Sequence, residues 1–159
     1  MAPGKDAVAP QDRTRAQCGG SGFVDDHLGY LLVQANHALF RDFDRTIKEA
    51  GLGSLEWRAL AALSDHPPMT VGRLARGVLG QQPTVTKLLQ RLAASGWVRL
   101  DTDPQDQRRT LVSITAAGQR KIQPLIAQAR SHEARILAGL GAADVRRFKD
   151  LLRRLADSS

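Results

Sequence analysis

The chain has 159 residues, of which 42% are hydrophobic and 25% are charged, and its formal net charge is +7. This length suffices for one domain with its own core, and no apolar stretch is long enough for a membrane span or a secretory signal, so we expect a cytoplasmic protein without a membrane partner. The single cysteine, Cys18, cannot close an intrachain disulfide, which excludes the disulfide-stabilised secreted class.

The first predicted elements are a tail and a long helix. Residues 1–22 contain little to bury and predict a disordered N-terminal tail, in which Cys18 is an incidental thiol. Apolar residues then recur every three or four positions from Leu28 to Ile47, which predicts a helix capped by Asp25 or Asp26 and ended by Gly51 and Gly53.

Three further helices follow in the sequence. The second is predicted from Ser54, its N-cap, to Ser64, and two prolines stop it. Thr70 caps a short third helix. The fourth runs from about Gln82 to Ser95, with Pro83 in the first turn where its missing N–H costs nothing.

The helical period stops at Gly96. Residues 97–100 and 110–114 are β-rich and predict a two-stranded ribbon, with the polar residues 101–109 as a long tip. Thr115 caps a fifth helix, in which Pro124 predicts a kink or a late start, and a last amphipathic helix follows Gly141.

The fourth helix has two distinct faces. Its apolar residues form one buried stripe, which consists of Val85, Leu88, Leu89 and Leu92. Its outward face has no acidic residue and carries Thr84, Thr86, Lys87, Gln90 and Arg91. This set suits a DNA major groove, and Gln81, Gln82 and the helix N-terminus can serve a phosphate. For the helix alone, an amphipathic helix with a solvated face is the better interpretation.

The ribbon favours DNA binding more strongly. Arg108 and Arg109 lie beside Asp106, and an arginine on a thin loop can enter a minor groove while the aspartate holds its guanidinium. The alternative is a surface hairpin with a weak ion pair. The segment from Thr70 to Lys121 contains nine basic residues and three acidic ones. Such an excess of positive charge is typical of a protein that binds phosphate groups.

In this order the motifs resemble the MarR family of bacterial transcription regulators. The matching stretches are 28–32, 55–63, 82–89 and 91–98, the wing signature 103–108, and 111–118. The resemblance implies a mainly α fold with a small two- or three-stranded β-wing, a winged helix–turn–helix in residues 54–115. It also implies an intertwined triangular homodimer formed by residues 23–53 and 116–159. Such a dimer would bind a palindromic operator in double-stranded DNA.

The resemblance also implies the DNA contacts. Asp106 and Arg108 would form the wing pair, and many members have arginine where this chain has Gln107, so the wing has one phosphate contact fewer unless Arg109 compensates. The full set of expected DNA-contacting residues is Arg73, Gln81, Gln82, Pro83, Thr84, Thr86, Lys87, Gln90, Arg91, Asp106, Arg108 and Arg109.

Members of the family often bind a small phenolic or aromatic acid, which predicts a repressor released by such an effector. The candidate residues are His27, Tyr30, His37, Trp57 and Arg58. The alternative is that Trp57 belongs to the core and the histidines to the surface. Gly29 stands where a peroxide-sensing branch has cysteine, which argues against that mechanism.

Two other functions stay open at this stage. One is a ligand-independent regulator or an architectural DNA-binding protein. The other, a small enzyme, is disfavoured because the chain has no zincin motif, phosphate-binding glycine loop or nucleophile elbow, and its four histidines are scattered. We therefore expect no cofactor and no metal.

Overall fold

The computed structural model describes residues 22–158. The predicted tail, with Cys18, therefore lies outside the described residues except for Gly22. The helices are α1 (Phe23–Asp26), α2 (Leu28–Glu49), α3 (Ser54–Ser64), α4 (Val71–Gly77), α5 (Gln82–Ala94), α6 (Ala116–Ile136) and α7 (Ala142–Asp157), with a 3-10 turn at Leu137–Gly139. The strands are β1 (Met69–Thr70), β2 (Val98–Asp103) and β3 (Asp106–Ile114).

The chain divides into two units after Asn36. In the first unit, the prediction that Asp25 or Asp26 caps the long helix is wrong, because both residues lie inside the short helix α1. The helix breaks at His27, whose Nδ1 accepts the N–H of Gly29 at 3.2 Å and so satisfies an open amide at the start of α2.

The end of α2 and the start of α3 follow ordinary capping chemistry. Gly51 adopts the left-handed conformation (φ 73°) that ends α2, as predicted. The cap of α3 differs from the prediction, because Gly53 is the N-cap and Ser54 is the first helical residue. Glu56 replaces the expected hydroxyl: its Oε2 accepts the N–H of Gly53 at 2.8 Å.

Helices α4 and α5 form the predicted helix–turn–helix. Thr70 caps α4 as predicted, accepting the N–H of Arg73 at 3.3 Å. In the turn, Leu79 has a φ of 52° although it is not a glycine, and its side chain is 87% exposed. A Cβ at Gly80 would lie 2.7 Å from Val85, so the turn packs closely on α5.

The sheet is antiparallel with the strand order β1-β3-β2. The predicted long tip is wrong, because β2 pairs with β3 as far as Asp103 opposite Asp106, and only Pro104 and Gln105 lie between them. Asp103 accepts the N–H of Gln105 at 2.9 Å, which closes the turn locally. The polar residues assigned to the tip therefore belong to exposed strand ends.

Helix α6 begins at the root of the wing. Thr115 caps it as predicted, accepting the N–H of Gly118 at 3.1 Å. A Cβ at Gly118 would overlap the carbonyl oxygen of Trp97, so only glycine fits there. Lys121 links the wing root to the end of α2. Its Nζ donates to the carbonyl of Ala50 at 2.7 Å and lies 5.4 Å from the centre of the Trp97 ring.

Pro124 does not delay the start of α6, which continues through it to Ile136. Pro124 is exposed, so the carbonyl that lacks its usual amide donor can bond water instead.

One hydrophobic core joins the second half of α2 to α3, α4, α5, the sheet and α6. Leu60, Val85, Val112 and Ile122 are fully buried in it. No residue of α7 is fully buried within residues 22–158.

Candidate nucleic-acid interface

The outward face of α5 is the first part of the candidate interface. The predicted stripe of Val85, Leu88, Leu89 and Leu92 is buried, with exposures of 0–3%. The opposite positions are exposed, except Thr86, which is half-buried. Its hydroxyl donates to the carbonyl of Gln82 at 2.8 Å, which leaves only its lone pairs for DNA.

An acidic residue from outside α5 reaches this face. Glu56 of α3 places its Oε1 at 3.5 Å from Arg91 Nη2. The helix itself has no acidic residue, as predicted, but the face as a whole does. The sequence could not show this contact, because it depends on how α3 packs beside α5.

The N-terminal end of α5 carries the two glutamines and Pro83. Gln81 is the N-cap of α5, and its side chain makes no capping hydrogen bond. The amide of Gln82 lies over α4, where a Cβ at Gly72 would lie 3.5 Å from Gln82 Oε1. Pro83 lies in the first turn beside Thr84 and Lys87, in a shallow surface depression of α5.

The wing carries the second group of cations, and its ion pair differs from the expected one. Asp106 Oδ2 lies 3.0 Å from Arg109 Nε, whereas Asp106 Oδ1 accepts the backbone N–H of Arg108 at 3.1 Å. The aspartate closes a local turn onto its own backbone, and this directs its second oxygen to Arg109 rather than to the Arg108 guanidinium. Arg108 has no ion-pair partner among residues 22–158.

A cleft of about 480 Å³ connects the helix–turn–helix with the wing. Among residues 22–158 no acidic side chain lines it. Four arginines do, and they are Arg73, Arg76, Arg108 and Arg109. Thr70, Gln82, Thr86 and Thr110 add polar groups. The predictions missed Arg76, although its spacing of three from Arg73 on a helix signals a shared face.

The acids of this segment are already engaged. Arg99 binds Asp101 at 2.7 Å, Asp103 closes the wing turn, and Asp106 binds Arg109. The cleft therefore keeps a positive charge, which suits a polyanion that passes between helix and wing.

The predicted effector residues do not form one cluster in the second unit. Trp57 lines an apolar cavity of about 320 Å³ with Phe43, and their rings meet edge to face at 5.2 Å. Arg58 and His37 are exposed and do not line this cavity. In the first unit, His27 and Tyr30 pack with Phe23 at ring distances of 4.5–6.1 Å.

Other residues line the cavity in place of Arg58 and His37. Arg130, His132 and Glu133 of α6 are the polar groups. His132 stacks on Phe43 at 5.9 Å, and its Nε2 bonds the carbonyl of Leu39 at 2.9 Å. That bond makes Nε2 the donor, so Nδ1 accepts from Arg135 at 3.2 Å.

Residues 22–158 contain no cluster of three side chains able to hold a metal ion. None of the helices within this range is long and apolar enough to cross a membrane.

Known proteins resemble this chain in sequence and in fold. A family model described as the MarR family matches residues 50–109. The HTH-type transcriptional repressor NicR of Pseudomonas putida is 29% identical over 135 residues, which cover 85% of this chain and 85% of NicR.

Two solved structures extend the similarity. The MarR family transcriptional regulator SPO1453 from Silicibacter pomeroyi is 35% identical with a TM-score of 0.75, and the match covers 86% of this chain and 98% of that one. The PcaV transcriptional regulator from Streptomyces coelicolor, solved with its natural ligand, is 28% identical with a TM-score of 0.69, covering 84% and 94% of the two chains.

Proposed function

The chain belongs to the MarR family of transcriptional regulators, and from that premise we propose that it represses transcription by binding an operator in double-stranded DNA as a homodimer. The observation that carries this proposal is the arginine-lined cleft between α4, α5 and the wing. Because helix and wing meet at one positive surface, both can contact one duplex at the same time.

Each part of this surface fits a different part of the duplex. The outward face of α5, with Thr84, Lys87 and Gln90 exposed, suits base edges in the major groove. The two-residue wing tip is narrow enough for a minor groove, and Arg108 adds a cation that pairs with no carboxylate in the part of the chain that the structure describes. The arginines of α4 line the cleft between them and suit phosphates.

Helix α7 supports the homodimer. Its apolar side chains Phe148, Leu151 and Leu155 are 43–51% exposed in the single chain. An amphipathic helix with no buried residue needs a partner to cover that side. A second copy provides the same face, and a two-fold axis would place two α5 helices on a palindromic site.

The test of DNA binding is a salt titration of affinity for the DNA upstream of the protein's own coding region. With four arginines in each cleft, the slope of log K against log salt should be roughly −4 or steeper. The variant Arg76→Ser should flatten the slope, whereas Arg146→Ser on α7 removes the same charge away from the cleft and should not. A slope near zero, or equal slopes in both variants, would exclude a phosphate-dominated mode.

We further propose that a small aromatic acid binds in the cavity beside Trp57 and lowers DNA affinity. The stacked side chains of Phe43 and His132 form an aromatic wall, and Arg130 supplies a cation for a carboxylate. PcaV, a relative of similar fold, was solved with its natural ligand, which supports an effector in this chain.

Thermal shift tests the effector, with salicylate, 4-hydroxybenzoate and 3,4-dihydroxybenzoate as probes. We expect one of them to raise the melting temperature and to release DNA, and Arg130→Gln to weaken that shift. Arg58→Gln is the matched control because Arg58 lies outside the cavity. No shift with any acid, combined with intact DNA binding, would favour the ligand-independent regulator. Equal affinity for operator and shuffled duplexes would favour an architectural protein.

A further inference from the structure

The cations of the DNA-facing surface fall into two groups. Arg91 and Arg109 each contact a carboxylate, at 3.5 Å from Glu56 and 3.0 Å from Asp106. The others have no ion pair within residues 22–158, and they are Arg73, Arg76, Lys87 and Arg108. A carboxylate on a DNA-binding face repels phosphate and so lowers affinity for DNA, unless it also improves the binding in another way.

Glu56 is held more firmly than an ordinary surface carboxylate. Its Oε2 accepts the N–H of Gly53 at the first turn of α3, at 2.8 Å. Its side chain is only 20% exposed, whereas that of Arg91 is 73% exposed. The second oxygen, Oε1, is therefore presented at a fixed place on α3, and the arginine comes to it from α5.

This pair contributes little to folding stability. Exposed ion pairs gain little in water, because solvent screens them and two side chains must be ordered. The contact places the Arg91 guanidinium on the side of α5 that lies toward Glu56, with Nη2 at 3.5 Å from Oε1. An arginine ordered before DNA arrives loses less freedom on binding, and its planar donors then favour one base edge over another.

We infer that Glu56 is a positioning residue, which directs Arg91 toward base readout in the major groove. This inference rests on the proposed DNA-binding function and adds to it how one arginine of the DNA-binding surface is oriented. The glutamate lowers affinity for any duplex, because it is an anion near phosphates. It raises the preference for the correct duplex, because it orients Arg91.

The test uses Glu56→Gln, which keeps an oxygen to accept the Gly53 N–H and removes the charge. Glu49→Gln is the matched control, because Glu49 is an exposed helical acid with a 4.0 Å pair to Arg45. The probes are the duplex that the wild-type protein enriches from a randomised library and a shuffled duplex of the same composition. The measured quantity is the ratio of the two affinities.

For Glu56→Gln we expect unchanged or slightly tighter binding of the shuffled duplex and a ratio lowered by roughly five- to tenfold, which is the size of one base contact. Glu49→Gln should leave the ratio unchanged. Arg91→Ala should lower it by a similar factor, and the double variant should lose no more than Arg91→Ala alone, because both changes remove one interaction.

The outcomes separate the inference from the function beneath it. An unchanged ratio in Glu56→Gln overturns the positioning role while DNA binding stands. A loss of affinity for both duplexes, with a lower melting temperature and the same ratio, shows that Glu56 serves only as a helix cap and also overturns it. If the wild-type protein enriches no duplex at all, the proposed function itself fails.

Discussion

The winged helix–turn–helix and helix α7 differ in whether their apolar side chains are buried within the chain. In the former, the apolar stripe of α5 packs into a core with exposures of 0–3%. In α7 the apolar side is equally regular, yet Leu151 is 51% exposed and no residue of the helix is fully buried within residues 22–158. The core of the winged helix–turn–helix therefore forms within one chain, whereas we propose that a second copy covers the apolar side of α7. Experiments on the two regions should separate folding from association.

The largest effect is expected for Gly118→Ala, at the root of the wing. The added Cβ would overlap the carbonyl oxygen of Trp97, and backbone cannot move aside as a side chain can. We expect the free energy of unfolding to fall by about 3 kcal/mol, measured by chemical denaturation. Gly139→Ala is the control, since its Cβ would meet nothing within 4 Å. Equal stability of both variants would contradict the close packing at the wing root.

The next effect is on association. Leu151→Asp places a charge on the apolar side of α7 and should leave a folded monomer, because Leu151 is already exposed in the chain. DNA affinity should fall about a hundredfold when half of the contacts are lost. Sedimentation and mobility shift measure the two quantities. The control Arg146→Ser changes the charge by the same amount on the polar side. A dimeric, DNA-binding Leu151→Asp protein would show that α7 is not the interface.

A smaller effect is expected in the cleft itself. Arg108→Ala should weaken binding of the enriched duplex by roughly 1–3 kcal/mol without altering the melting temperature. Its neighbour Arg109 is held by Asp106 at 3.0 Å, so Asp106→Asn should change sequence preference more than total affinity. Titration of both variants on enriched and shuffled duplexes measures this. Identical profiles for the two variants would mean that the ion pair has no directional effect.

The smallest effect concerns the turn between α4 and α5. Leu79 has a φ of 52° and is 87% exposed, so it has backbone strain and little burial to offset it. Leu79→Gly should stabilise the protein by about 0.5–1 kcal/mol, measured by thermal unfolding. Leu79→Ala keeps the strain and should be neutral. A destabilised glycine variant would mean that the leucine packs on something in the folded protein.

Local chemistry explains what the sequence predicted well. The stripe of α5 and the threonine caps at Thr70 and Thr115 depend on spacings of three to four residues, and the structure has them where the pattern places them. The fold class followed from the family resemblance that the motifs carry in this order.

Features that depend on tertiary contacts were either not predicted or predicted wrongly. The Glu56–Arg91 pair joins two helices distant in sequence, so no spacing rule reveals it. The cavity beside Trp57 takes its polar lining from α6 rather than from Arg58. The predicted wing tip was too long, because polar residues at exposed strand ends have the composition of a loop.

The contact of Gly118 with Trp97 also determines where the protein can flex. Helix α6 and the root of the wing meet there backbone to backbone, with Lys121 bridging Trp97 to the end of α2. This close approach resists bending at that point, because a rotation of α6 against the wing root would press the backbone of Gly118 onto the carbonyl of Trp97. In the homodimer that we propose, a change in the spacing of the two wings would therefore move each α6 together with its own wing.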